Sequence, residues 1–287
     1  MTGPTGEFSI DKLHRIIGFE LSEEQVAAVT ADLDTPLLVV AGAGSGKTTV
    51  MAARVLWAIA TGQVMPEEVV GLTFTRKAAA ELGGRIRSLL EALLEDYPPT
   101  SLGDREVGSP LVSTYHSFAR QFVAEHGLRI GVEPGARLLS DTETLQLAYG
   151  VVLNTSAPLR EMGVGAPALA EVVTKLDQQL AEHVATTTAL RAHEIDLIER
   201  IDGLEKTVDA DRKLRSTAAR RLQLCAVVEE FRNEKSAAGV VDFADVLRFG
   251  HQLAAREDVQ RIFHDRVKMV LLDEYQDTSV VQAELLA

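Results

Sequence analysis

Two stretches, far apart in the chain, carry the residue types of a triphosphate site. The first is Ala41-Gly42-Ala43-Gly44-Ser45-Gly46-Lys47-Thr48, placed directly after an apolar run at 37–40 and directly before a helical pattern at 49–60. Glycines at this spacing let backbone N–H groups converge on phosphate oxygens, and a helix N-terminus favours the negative charge held there. Lys47 then faces the β- and γ-phosphates, and Thr48 offers its hydroxyl to Mg²⁺. The expected nucleotide-binding set is Gly42, Ala43, Gly44, Ser45, Gly46, Lys47, Thr48 and Thr49. The strict pattern has glycine where this chain has Ala41, so the relaxed form is the one that matches. A glycine-rich turn without a ligand is the bland alternative, and the flanking strand and helix patterns weigh against it.

The second stretch is Val270-Leu271-Leu272-Asp273-Glu274-Tyr275-Gln276-Asp277. An apolar strand ending in two carboxylates places Asp273 to hold Mg²⁺ and Glu274 to polarise an attacking water. Adjacent carboxylates repel each other unless a cation lies near them. A solvated acidic turn is common in so acidic a chain, but the glycine-rich loop upstream makes the metal reading the stronger one. ATP and Mg²⁺ are the expected cofactors.

Both stretches need a scaffold. Four apolar runs, at 36–41, 69–74, 110–114 and 268–272, read as buried parallel strands. A helical pattern follows each of the first three, which predicts a parallel sheet with helices on its faces and functional groups at the strands' carboxyl ends. Between 124 and 239 strand-like runs vanish. Amphipathic stretches at 141–153, 168–180 and 209–235 follow one another, separated by breaks at 156–158 and 163–167. This predicts an all-helical subdomain inserted into the α/β domain. Residues 97–110, rich in Pro, Gly, Ser and Asp, read as a surface loop.

Bulk properties narrow the partners. With 42 acidic and 29 basic residues the net charge is −13, which argues against a protein that coats DNA by electrostatics alone. A local groove that grips a strand by base stacking remains compatible with that charge. The single cysteine, Cys225, leaves no intramolecular disulfide and reads as a small buried residue on a helix. Residues 1–9 lack the pattern of a signal peptide, and no apolar run is long enough to span a bilayer, so a cytoplasmic protein with no membrane partner is expected.

The order of motifs carries a resemblance. Leu21-Ser22-Glu23-Glu24-Gln25 precedes the glycine-rich loop, and Leu72-Thr73-Phe74-Thr75-Arg76-Lys77-Ala78-Ala79 and Ser113-Thr114-Tyr115-His116-Ser117-Phe118 follow it. Val241-Asp242-Phe243-Ala244-Asp245-Val246-Leu247 and Asp273-Glu274-Tyr275-Gln276-Asp277-Thr278 complete the succession. It resembles the UvrD/Rep/RecB-type superfamily 1 DNA helicases, in their N-terminal portion. The phrase over 71–82 is similar to the actinobacterial AdnAB-type helicase–nuclease subunits. The resemblance implies a P-loop NTPase (RecA-like) α/β fold. It assigns residues 1–123 and 240–287 to the first motor domain and 124–239 to the helical insertion.

The resemblance also implies roles. Gln25 corresponds to an adenine-reading glutamine, although Ser22-x-x-Gln25 is equally a helix capping box. Thr73, Phe74, Thr75 and Arg76 lie where the family contacts single-stranded DNA, with Phe74 as stacking platform; Phe74 as a core residue is the alternative. Many relatives have Asn at the position of Arg76. Tyr115 and His116 follow the third strand, where His116 would meet the bound strand, though a lone histidine is often structural. Thr49 stands where several relatives carry arginine. Gln276 matches a glutamine that links the γ-phosphate to the rest of the motor. Asp242 reads as a helix N-cap. The basic cluster Arg212, Lys213, Arg215, Arg220 and Arg221 reads as a solvated helix face or, alternatively, as a duplex DNA contact.

By resemblance the function is the ATP-binding half of an ATP-dependent DNA helicase or 3′→5′ translocase in repair or recombination, acting on single-stranded and duplex DNA. A second helicase–nuclease subunit is a candidate partner. The chain is expected to stop before the second motor domain and its arginines, so that it binds ATP–Mg²⁺ but turns over slowly. A nucleotide-binding regulatory module without turnover, and a P-loop NTPase acting on something other than DNA, are the competing readings.

Overall fold

The computed structural model describes residues 8–42, 44–98, 107–157 and 159–286. Ala43 of the glycine-rich loop, most of the expected 97–110 loop and position 158 of the expected 156–158 break therefore lie outside the described residues. The first half of the chain runs α1 (Ile10–Ile17), α2 (Glu23–Thr30), α3 (Lys47–Ala60), β1 (Val69–Thr73), α4 (Arg76–Asp96), β2 (Leu111–Thr114) and α5 (Tyr115–His126). Then come β3 (Arg137–Leu138), α6 (Asp141–Asn154), α7 (Ala166–Glu182), α8 (Thr187–Asp202) and α9 (Asp209–Ala237). The last elements are β4 (Val240–Val241), α10 (Phe243–Ala254), α11 (Glu257–Arg266), β5 (Met269–Leu272) and α12 (Val280–Glu284). Contacts divide the chain into two compact units, Met1–Phe118 with Gln260–Asp277, and Ala119–Val259 with Thr278–Ala287. Among the described residues no helix is long and apolar enough to cross a membrane.

The first unit is built on a parallel sheet of order β2-β1-β5. β1 lies in the middle and is buried at all five positions, as a strand covered on both faces must be. Gly71 at its centre permits a close approach. A Cβ there would meet Val112 Cγ2 at 3.4 Å and Leu82 Cδ2 at 3.6 Å, ordinary contact distances, so a side chain longer than alanine's would crowd α4 and β2. The core joins Val55, Leu56 and Ile59 of α3 and Leu82, Ile86 and Leu93 of α4 to Val69, Met269 and Leu271 of the sheet, with Leu13 of α1 fully buried among them.

Three of the four expected strands form. The fourth, expected at 36–41, does not. Residues 36–40 carry no ladder hydrogen bonds, and Leu38 and Val40 are 73% and 87% exposed. A strand exists through its neighbour, because only the ladder satisfies its backbone groups. Among the described strands β5 pairs on one edge only, with β1, and nothing pairs with 36–40. Apolar composition alone, without a partner, does not make a strand.

The second unit is mainly helical, but the insertion is not all-helical as expected: β3 pairs in parallel with β4, Arg137 opposite Val240 and Leu138 opposite Val241. Ala148 and Val152 of α6, Leu169 and Val173 of α7, and Leu224, Val227, Val228 and Phe231 of α9 form its core. The stretches expected at 141–153, 168–180 and 209–235 appear as α6, α7 and α9. The sequence reading did not single out α8, which starts at an N-cap where Thr186 Oγ1 accepts from Ala189 N and which packs along α9. Cys225 is buried on α9, and burial raises its thiol pKa, in keeping with a structural residue.

A buried ionic cluster fastens α7, α9 and α10. Lys235, 1% exposed, places its ammonium 2.9 Å from Asp177, 2.6 Å from Asp242 and 2.9 Å from Asp245. Arg232 bonds Asp177 at 2.6 Å and Arg248 bonds Asp245 at 2.5 Å. The three carboxylates converge closely enough to suit a metal ion, but the Lys235 ammonium already supplies the cation. Burial lowers the Lys235 pKa and the three carboxylates more than reverse that, so it stays charged. Burial would raise Asp177, yet Lys235, Arg232 and Arg248 hold it below its usual value. Asp242, raised by burial and by Asp245, is the weak member. Asp242 also caps α10 in a capping box with Asp245, as its sequence position predicts. Replacing Lys235 with Met leaves buried carboxylates without their shared cation, and a loss of about 3–5 kcal/mol is expected. Urea unfolding of Lys235→Met checks this; a loss below about 1 kcal/mol would mean that the ammonium is dispensable.

Candidate nucleotide site and strand-end surface

Sheet register decides what meets at the site. Thr73 of β1 lies opposite Thr114 of β2, and Leu72 lies opposite Leu272 of β5. The residues that follow, Phe74, Tyr115 and Asp273, therefore emerge side by side at one end of the sheet. Asp273 is tied there by its own N–H, which donates to Leu72 O at 2.9 Å.

The glycine-rich loop enters α3 through residues that need the left-handed region, Gly44 at φ 77° and Gly46 at φ 85°. Ser45 Oγ donates to Gly42 O at 2.8 Å and closes the turn. Gly46, the N-cap of α3, has no side chain to cap the helix, and the first turn carries no acidic residue. The amides of that turn are thus left to an incoming anion. Lys47 Nζ rests on the carbonyls of Ala41 and Gly42, at 3.0 and 3.4 Å. Thr48 follows in the same turn, and Thr49 Oγ1 accepts a short hydrogen bond from Arg85 Nη1 of α4. A guanidinium thus reaches the position where the resemblance places an arginine in several relatives, but from another helix.

The acidic strand end lies within electrostatic reach of the loop. Burial and the adjacent Glu274 push the Asp273 carboxyl above the usual carboxylate range, while the charge of Lys47 pulls it back. Glu274 takes φ 52°, a left-handed conformation that a residue with a Cβ adopts only at a cost of order 1–3 kcal/mol. Its carboxylate accepts a short hydrogen bond from the Gln276 amide. The chain holds Glu274 in a strained turn, exposed, beside a half-buried carboxylate and a lysine. This donor set suits a magnesium-bound triphosphate: an anion-seeking amide cluster and ammonium on one side, and two carboxylates in need of a cation on the other.

Gln25 bridges α2 and the loop. Its Oε1 accepts from Ser22 N at 3.0 Å, completing the capping box, while its Nε2 donates to Ser45 O at 3.1 Å. The capping reading of this residue is therefore realised, and the same amide is delivered to the glycine-rich loop.

At the neighbouring strand ends, Phe74 stays 36% exposed while Tyr115 is 1% exposed, and their rings meet at 5.3 Å and 52°. Tyr115 supports Phe74 from beneath. Thr73 is fully buried and donates to Thr75 O, and Thr75 caps α4 by accepting from Ala78 N. His116 is half-buried beside them. Arg76 is exposed at the start of α4 and faces a groove of about 550 Å³ lined also by Arg87, Ser113, Thr114 and Ser117. No acidic residue lines the groove, and neither arginine forms an ion pair among the described residues.

In the helical unit, Arg212, Arg215 and Arg221 pair with Asp209, Asp202 and Glu194. That favours the solvated-face reading of the basic cluster over a duplex contact. Sequence reasoning did not find Arg85, Lys235 or Arg54, whose guanidinium binds the end of α2. All three act on distant partners, and for Arg54 these are backbone carbonyls that leave no mark in residue type.

A parallel sheet flanked by helices, a glycine-rich loop that enters α3 and two carboxylates that follow β5 are consistent with an α/β fold of the P-loop pattern. The family model described as the UvrD/REP helicase N-terminal domain matches residues 21–287, and the chain belongs to that family. It is 29% identical over 93% of its length to a protein named Probable DNA helicase from Mycoplasma pneumoniae, covering 43% of that protein. It is 26% identical over 91% of its length to DNA helicase II from Escherichia coli, covering 31% of it. With ATP-dependent DNA helicase SRS2 from Saccharomyces cerevisiae the identity is 23% over 93% of the chain and 21% of that protein. The chain thus spans less than half the length of these curated relatives.

The raised Asp273 pKa links the stability of the site to pH. A carboxyl that holds its proton more tightly when folded loses stability for the protein as pH rises through the ordinary carboxylate range and on past its folded value. The ionised form is then the costly one at neutral pH, and a bound cation offsets that cost. Asp273→Asn is expected to melt at a higher temperature than the parent at pH 7 without divalent metal, and to gain less from Mg²⁺ and ATP. Calorimetric melting with and without Mg²⁺–ATP tests this; an Asn variant that melts lower without metal contradicts it.

Proposed function

We propose that this chain is the ATP–Mg²⁺-binding half of an ATP-dependent DNA helicase or translocase with a role in repair or recombination. The observation that carries the reading is the joint placement of Lys47 and Asp273 within mutual electrostatic reach while Phe74 stands exposed at the adjacent strand end. A site that exchanges charge with a triphosphate is thereby coupled, through one sheet, to a surface that suits stacked bases.

In this reading Gln25 contacts adenine, and the residue 42–49 loop wraps the phosphates with Lys47 on their outer oxygens. Thr48 and Asp273 would hold Mg²⁺, which would screen the charge that develops on the phosphates. Glu274 accepts the proton of the attacking water, and the Gln276 amide bonded to its carboxylate orients it. Phe74, backed by Tyr115, stacks a base, and Thr73, Thr75, Arg76 and His116 form its surroundings, with Arg76 on the backbone phosphates. The acid-free groove beside Arg76 supports a path for a polyanion on this surface.

The proposed fold is a RecA-like motor domain over 1–123 and 240–287 with a helical insertion over 124–239. The all-helical make-up of α6 to α9 supports an insertion, although the contact division groups 240–259 with the helices. A 3′→5′ polarity, a cytoplasmic setting and a helicase–nuclease partner subunit complete the reading; the family resemblance supports the first, and the phrase over 71–82 the last. Residues 1–287 provide one wall of the proposed ATP cleft, and arginines acting from a facing wall are worth about 10³–10⁵ in rate. The purified chain is therefore expected to bind ATP–Mg²⁺ and to hydrolyse it very slowly, and robust DNA-stimulated turnover by it alone would refute this. Phe74→Ala should weaken single-strand binding by about 1–3 kcal/mol and leave ATP binding intact. Fluorescence anisotropy with a labelled oligonucleotide measures the first and nucleotide titration the second; unchanged DNA affinity speaks for a P-loop protein that does not act on DNA.

A further inference from the structure

The α2 helix carries Gln25, yet it is only eight residues long, and a helix of two turns holds little stability of its own. Its carboxyl end lacks the usual stops. Ala31 follows in an extended conformation (ψ 145°), there is no glycine there, and the last turn has no basic residue. Its last carbonyls need donors from elsewhere. They find them in Arg54 of α3, two turns beyond Lys47. Arg54 Nη1 donates to Ala28 O and Ala31 O at 2.8 Å each and to Val29 O at 3.4 Å, and Nη2 donates to Asp32 O at 3.1 Å. Half-burial lowers the pKa of Arg54 against the opposing charge of Asp32, but a guanidinium remains charged and so suits the negative end of a helix.

The α2 helix is thus pinned at both ends to one segment, through Gln25 to Ser45 and through Arg54 to residues 28–32. Because Arg54 and Lys47 lie on the same helix, the second pin ties the placement of α2 to that of Lys47. Reading a base is sensitive to such placement, since hydrogen bonds weaken steeply with a few tenths of an ångström or a modest rotation. Adenine offers a donor at N6 and an acceptor at N7, which match the two functions of a glutamine amide, whereas guanine offers acceptors at both O6 and N7.

We propose that Arg54 is a positioning residue for base selection: by capping the carboxyl end of α2 it keeps Gln25 where it prefers adenine to guanine. The inference rests on the reading of Gln25 and the glycine-rich loop as a nucleotide site. The test measures binding of ATP, GTP and inorganic tripolyphosphate, each with Mg²⁺, to the 287-residue chain by titration calorimetry. Arg54→Met is expected to lose roughly tenfold in the ATP-to-GTP ratio while tripolyphosphate affinity stays within about twofold, since the phosphate loop is untouched. Arg54→Lys, whose three donors radiate from one point and cannot span four carbonyls, should fall between, and it decides the matter if the Met variant fails to fold. The proposal is overturned if the variant that folds keeps the parent ratio, or if all three ligands weaken equally, which is the mark of a merely structural role. Gln25→Ala separates this failure from that of the underlying reading. A ratio lost in Gln25→Ala but kept in the Arg54 variants removes Arg54 alone. A parent chain without preference, or a Gln25→Ala variant that keeps it, removes the adenine site itself.

Discussion

One end of a three-stranded sheet must accommodate a lysine and two adjacent carboxylates, and the repulsion between Asp273 and Glu274 is the constraint that organises the rest. Burial makes that repulsion worse at Asp273, and Lys47 relieves part of it. Relief requires residues separated by more than two hundred positions to be neighbours, which in turn requires β1 and β5 to pair in register and α3 to be anchored in the same core. The full burial of β1 and its ladder to β5 secure that pairing. The strained turn at Glu274 directly follows the residue tethered to Leu72, so strain and tether sit at the same strand end.

Much of this arrangement is legible in the amino-acid sequence. The strands at 69–74, 110–114 and 268–272 announce themselves by short apolar runs with polar ends, and the register places Phe74, Tyr115 and Asp273 where those runs stop. What composition does not reveal is partnership. The run at 36–41 has the same apolar texture and yet pairs with nothing among the described strands, because a ladder depends on a neighbour and not on the segment itself. The Lys235 cluster draws on residues from 177 to 248, scattered over three helices, and only the Asp242 cap has a local signature. The capping box at Ser22 and Gln25 is visible in residue types, but the hydrogen bond from Gln25 to Ser45 is not, since it depends on how α2 lies against the loop.

The two units show opposite uses of buried charge. In the helical unit, three carboxylates meet a side-chain ammonium that supplies their counter-charge, which fixes helices. In the sheet unit the carboxylates are left undercompensated and partly open. A closed cluster favours rigidity, whereas an open one keeps an affinity for cations in reserve. The difference lies in whether the chain supplies its own counter-charge, and it separates a structural acidic group from a candidate metal site more sharply than the number of carboxylates does.

The extended run at 37–40 has a practical consequence for handling the protein. Exposed leucine and valine side chains on a run that pairs with no strand among the described residues form a ready template for strand pairing between molecules, and no charge or proline interrupts the run. Association of the purified chain is therefore expected to draw on this run. The strong net negative charge keeps molecules apart at low ionic strength, and added salt, by screening it, brings these sticky segments into contact.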